Sequence, residues 1–95
     1  MLDKVKLVED RYEELNRLMA DPEVAQDYAA VAEYAQERSE LDEIVQTYRS
    51  YLALDEELAG ARAILEEAVD DELYAMAQEE ENRLTERLER LEATL

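Results

Sequence analysis

Carboxylates dominate the chemistry open to this sequence, with 27 Asp and Glu against 10 Lys and Arg in 95 residues and neither histidine nor cysteine. They cluster in pairs and runs, among them Asp55-Glu56-Glu57, Glu66-Glu67, Asp70-Asp71-Glu72 and Glu79-Glu80-Glu81. Two neighbouring carboxylates act as general acid and base only where a cleft drives their acidities apart, and a narrow stack of helices offers no cleft. Without histidine the chain lacks the commonest proton shuttle, most zinc sites and the Glu-x-x-His pairs by which helical bundles hold two metals. Without cysteine it lacks disulfides and thiolate chemistry, which suits a reducing compartment. No Asp-x-Asp-x-Asp-Gly calcium loop, phosphate-cradling glycine loop or Gly-x-Ser-x-Gly elbow is written in it. The residues therefore predict no catalytic group, no cofactor and no resident metal.

The net charge of −17 is spread evenly, 13 acids against 5 bases up to residue 48 and 14 against 5 beyond it. Nucleic-acid binding draws most of its affinity from Lys and Arg on phosphates, so direct DNA binding is not expected. No apolar run approaches the roughly 20 residues that span a bilayer, and the opening MLDKVKLVED has neither a signal peptide's hydrophobic block nor a transit peptide's acid-poor composition. A soluble, cytoplasmic protein without membrane contact is the expectation.

The elements are written in the spacing of the apolar residues. Leu2, Val5, Val8, Tyr12, Leu15 and Met19 recur every three or four positions, with Leu7 and Leu18 widening the face, which predicts a helix over about residues 3–20. It stops at Asp21-Pro22, where proline disfavours the α conformation in the residue before it and cannot donate the next hydrogen bond. The same pair starts the next helix, with Asp21 as cap, Pro22 in the first helical position and Glu23 at the favourable end of the dipole. Asp27 is a second candidate cap, which would make PEVAQD a separate turn. A long helix follows over about residues 23–68, with Val31, Tyr34, Leu41, Ile44, Tyr48, Tyr51, Leu58, Ala61 and Leu65 near helical spacing and Gly60 a weakness rather than a stop. Asp70 or Asp71 then caps a third helix to residue 95, striped by Leu73, Met76, Ala77, Leu84, Leu88, Leu91 and Leu95. At 1.5 Å per residue these helices measure about 27, 63 and 37 Å. The outer two together match the middle one. The expected fold is one all-α domain over residues 1–95, an elongated antiparallel three-helix arrangement with a long central helix and coiled-coil-like packing.

Both predicted hinges are acidic, five acids and no base over residues 18–37 and eight acids and no base over 63–82. Six tyrosines with no Phe or Trp suit half-buried seam positions, where the ring packs and the hydroxyl stays wet. Tyr34, beside the first hinge, is the tyrosine most suited to recognition.

Three stretches, RYEELNRLMADPEVAQD, EYAQERSELDEIVQTYRSYLALDEELAGARAILEE and DDELYAMAQEE, carry a resemblance. With the opening Met-Leu-Asp-Lys and the spacing of Ile44-Val45 to Tyr48 and Tyr51, they resemble the N-terminal helical domain of bacterial class-I peptide chain release factors. EYAQERSELDEIVQTYRSY favours the release factor 1 branch over release factor 2. Asp71 departs from the pattern, which often has proline after the hinge aspartate. The family's Gly-Gly-Gln tripeptide and its codon-reading Pro-x-Thr are absent, since Gly60 is the only glycine and the only proline precedes Glu23. The resemblance implies a non-enzymatic piece of a translation-termination factor, although the whole family promotes peptidyl-tRNA hydrolysis. It further implies docking to the stalk base and GTPase-associated region of the large ribosomal subunit, and to the class-II release-factor GTPase, with Asp21, Pro22, Glu23 and Tyr34 as partner-binding residues. A free-standing acidic coiled-coil adaptor, dimerising through Leu84, Leu88, Leu91 and Leu95, is the alternative, and self-association of a fragment with so thin a core is expected in either case. An acidic mimic of nucleic acid, occupying a DNA-binding protein, is a third class.

Overall fold

Capping chemistry sets where each helix of this chain begins and ends. In the computed structural model, which describes residues 2–95, α1 spans Leu2–Ala20, α2 Pro22–Ala25, α3 Tyr28–Glu67 and α4 Asp71–Thr94, and no strand occurs among the described residues. The chain is all-α. Met1, part of the opening quoted above, lies outside the described residues.

α1 carries Asp3 in its first turn and Arg17 in its last, each at the end of the dipole that favours its charge. It ends because Asp21, restricted by the following proline, is extended at φ −70° and ψ 123°. The Asp21 carboxylate accepts from the Glu23 backbone N–H at 2.9 Å, and its carbonyl accepts from Ala25 at 2.8 Å. The predicted helix over residues 23–68 is corrected here, because α2 is a single turn that closes after Ala25. Asp27 then caps α3, its carboxylate accepting from Ala30 N–H at 3.1 Å and its carbonyl from Val31 N–H at 3.0 Å. A carboxylate satisfying donors at a helix start competes with continuing the preceding turn, which explains the break.

At the far end of α3, Glu66 and Glu67 place two negative charges against the negative end of the dipole, and the helix stops. Asp70, not Asp71, is the cap of α4, accepting from Glu72 N–H at 2.7 Å and Leu73 N–H at 3.3 Å. Asp71 therefore occupies the first helical position, where proline is also favoured, and with Glu72 it makes an acidic first turn.

The chain divides into two compact units, one formed by the residues up to Thr47 together with Leu95, the other by Tyr48–Thr94. In the first unit α1 buries Val5, Tyr12 and Leu15, and α3 buries Val45. Leu7, predicted to widen the buried face, is exposed instead, since a residue two places after Val5 and five before Tyr12 points away from their face. In the second unit Leu54, Leu58 and Ala61 of α3 form a cluster with Leu84 of α4, and Leu88 and Leu91 pack against it. The tyrosines divide more sharply than predicted. Tyr12 and Tyr48 are buried, Tyr34 and Tyr51 are half-buried, and Tyr28 and Tyr74 are exposed.

Gly60 lies exposed inside α3, and no atom stands within 4 Å of where a β-carbon would sit. Gly60→Ala is expected to stabilise the chain by about 0.5–1 kcal/mol, because alanine gives up less backbone freedom on entering a helix. Thermal unfolding followed by circular dichroism checks this, with a rise of roughly 4 °C as the expected result.

Candidate docking surface

The first unit is held in register by polar contacts between helices far apart in sequence. Arg11 of α1 grips Glu37 of α3 in two-pronged fashion, Nε to Oε2 at 2.6 Å and a terminal nitrogen to Oε1 at 2.8 Å, and also reaches Glu14 at 2.7 Å. The planar fork of a guanidinium matches both carboxylate oxygens at once, so the pair fixes an orientation as well as a distance. One residue further along α1, the Tyr12 hydroxyl donates to Asp42 at 2.8 Å. The Arg38 guanidinium lies over the Tyr12 ring, 4.8 Å from its centroid, and donates to Asn16. Tyr12 pairing with 42 while Asn16 pairs with 38 sets α1 antiparallel to this part of α3.

This framework positions Tyr34. The half-buried ring lines an open depression with Arg11, Ala32, Glu33, Gln36, Glu37 and Glu40, so the Arg11–Glu37 pair forms part of its wall. Asp21, Pro22 and Glu23 are all exposed and belong to the capped turn described above. None of these three lines the depression, so the four residues fall into two places, a capped acidic turn and a tyrosine-bearing hollow. Arg11 and Glu37 were not legible as site residues, since a pair 26 residues apart leaves no local pattern. The only hint in sequence is that each flanks an apolar stripe.

Chemically the surface suits recognition. Among the described residues no group of three or more carboxylates is arranged to hold a metal ion, no buried side-chain polar atom lacks a partner, and no helix is long and apolar enough to cross a membrane. The Arg11 guanidinium holds the Glu37 carboxyl below the ordinary carboxylate value, hydrogen bonding being the largest cause, and Arg11 is itself held up by the same partner. What remains on offer is exposed negative charge beside one tyrosine ring, which together suit cationic side chains.

The depressed acidity of Glu37 has a sign that can be measured. A carboxyl whose folded value lies below its unfolded one contributes stability that is present above the unfolded value, near 4.5, and is lost as pH falls through the folded one. The thermal stability of the native chain should therefore exceed that of Glu37→Gln at pH 7, and the gap should close as pH drops below about 4. A gap that stays constant between pH 7 and 3 would contradict the pairing.

Comparison with known proteins gives this surface a context. A family model described as the PCRF domain matches residues 8–95. The chain is similar to peptide chain release factor 1 of Bacillus licheniformis, at 46% identity over 91 residues covering 96% of this chain and 26% of that protein. It is similar to peptide chain release factor 1 of Bacillus subtilis, at 44% identity over 95 residues, all of this chain and 27% of that protein. A third relative, from Geobacillus kaustophilus, is 46% identical over 91 residues, 96% of this chain and 25% of its own length. The chain thus spans about a quarter of the curated relatives it matches. No solved structure matches it.

Proposed function

The chain belongs to the PCRF-domain family of bacterial peptide chain release factors, and from that premise we propose that residues 1–95 serve as the N-terminal docking module of a cytoplasmic translation-termination factor of the release factor 1 branch. The observation that carries this reading is the family match across residues 8–95. The module contacts the stalk base of the large ribosomal subunit through the acidic turn Asp21-Pro22-Glu23 and the hollow bearing Tyr34, and it offers the class-II release-factor GTPase a neighbouring surface. Its partners there are basic proteins rather than rRNA, because residues 18–37 carry five acids and no base and Arg11 in the hollow's wall is already engaged by Glu37 and Glu14. Codon reading and peptidyl-tRNA hydrolysis belong to parts of the factor that this chain does not carry, as it has neither Gly-Gly-Gln nor Pro-x-Thr.

The adaptor reading loses support from the packing of α4. Three of the four residues on which dimerisation would rest, Leu84, Leu88 and Leu91 but not Leu95, pack with Leu54, Leu58 and Ala61 of the same chain. Co-sedimentation with purified large ribosomal subunits tests the proposal, with Glu23→Lys and Tyr34→Ala expected to weaken retention severalfold while both variants remain folded by circular dichroism. Equal retention of both variants would remove the assigned surface, and no retention of the native chain would remove the proposal.

A further inference from the structure

The second hinge is built differently from the first. Of the eight large apolar side chains exposed among the described residues, five fall between positions 64 and 76, namely Ile64, Val69, Leu73, Tyr74 and Met76. Val69, in the connection between α3 and α4, is 100% exposed. Leu73 and Tyr74 stand one turn before buried Ala77, so they continue the stripe that α4 turns toward α3. α3 ends at Glu67, and the stripe runs on uncovered. Scattered exposed apolar residues are ordinary, whereas five within thirteen positions at one end of a helical hairpin concentrate apolar surface in the way an interaction site does.

Charge decides what covers it. Residues 63–82 contain eight acids and no base, and Glu66, Glu67, Asp70, Asp71 and Glu72 frame the apolar residues. A second copy would bring the same negative frame against itself, and nucleic acid or an anionic lipid surface would bring phosphates to it. A basic protein surface meets it favourably on both counts. We infer that the α3–α4 tip is a second docking site, independent of the Asp21–Glu23 turn, that seats Val69, Leu73 and Met76 in an apolar hollow rimmed by lysine and arginine on a protein partner. Apolar anchors at the centre supply the affinity, and the acidic ring speeds and selects the encounter.

The inference rests on the ribosome-docking reading for the choice of probe alone. A photo-crosslinking side chain is placed at Val69 in the full 95-residue chain, and in a parallel sample at Tyr34, and each is irradiated with purified large ribosomal subunits. The expected result is an adduct from position 69 with a ribosomal protein at a Lys- and Arg-rich segment, in addition to one from position 34. In a binding arm, the triple variant Val69→Ser, Leu73→Ser, Met76→Ser should bind about tenfold more weakly, as loss of central apolar anchors does, with α-helical content unchanged. Adducts from position 69 with rRNA, with a second copy or with nothing, while the chain still co-sediments, overturn the second site and leave the docking reading intact. Full affinity in the triple variant overturns it as well. Failure of the native chain to co-sediment overturns both.

Discussion

Replacing Tyr12 by alanine is expected to cost about 4 kcal/mol, the range for emptying a buried aromatic site, and to lower the melting temperature by on the order of 20 °C. The side chain is 3% exposed on α1, and α3 holds it in two ways. Its hydroxyl donates to Asp42, and its ring face carries the Arg38 guanidinium. Tyr12→Phe separates these contributions. It keeps the ring and removes the hydroxyl that bonds the Asp42 carboxylate, which costs about 1.5–2 kcal/mol. The ratio matters more than either number. If the phenylalanine variant lost as much as the alanine variant, the hydroxyl contact rather than the packed ring would hold α1 to α3. Denaturant unfolding of the three chains, read by circular dichroism, measures both.

Leu84→Ala should be the severest change in the second unit, at about 3 kcal/mol. Leu84 is 1% exposed and is the only α4 residue buried within the cluster of Leu54, Leu58 and Ala61. Its removal leaves a void that the small Ala61 cannot fill, and Leu88 and Leu91 lose the neighbour against which they pack. A chain of 95 residues has a total stability of roughly 5–14 kcal/mol, so this single truncation removes a large share. Amide hydrogen exchange should show the α4 backbone around Ala77–Leu88 losing protection by about a hundredfold, the exchange equivalent of 3 kcal/mol. A loss below fivefold would mean that the cluster is not what secures α4.

These two positions also show what the sequence made legible. The caps are legible because capping is local, Asp21-Pro22, Asp27 and Asp70 each acting on donors two to four residues away, but the sequence does not decide that Asp27 rather than Asp21 begins the long helix. The stripe of α1 came through for the same reason, apart from Leu7, which shares its residue type with the core but not its direction. The grip on Tyr12 did not. Asp42 and Arg38 meet it across 30 and 26 residues, and only the hairpin geometry brings them there. Residue type suits Tyr28 and Tyr74 to the seam, yet Tyr28 opens α3, Tyr74 lies in the first turns of α4, and both are exposed. Of the proposed docking residues, the turn at Asp21–Glu23 could be read from three adjacent letters. The hollow at Tyr34 needed Arg11 from another helix to complete its wall.

The central claim, that this chain is the ribosome-docking module of a release factor, meets its most direct test in competition. Fluorescently labelled full-length peptide chain release factor 1 from Bacillus subtilis is bound to ribosomes halted at a stop codon, and the unlabelled 95-residue chain is titrated in. Specific occupation of a shared docking site predicts that the chain lowers the bound fraction of the labelled factor, and that Glu23→Lys shifts the displacement curve to higher concentration. A chain that binds the ribosome to saturation without displacing any of the labelled factor would contradict the account.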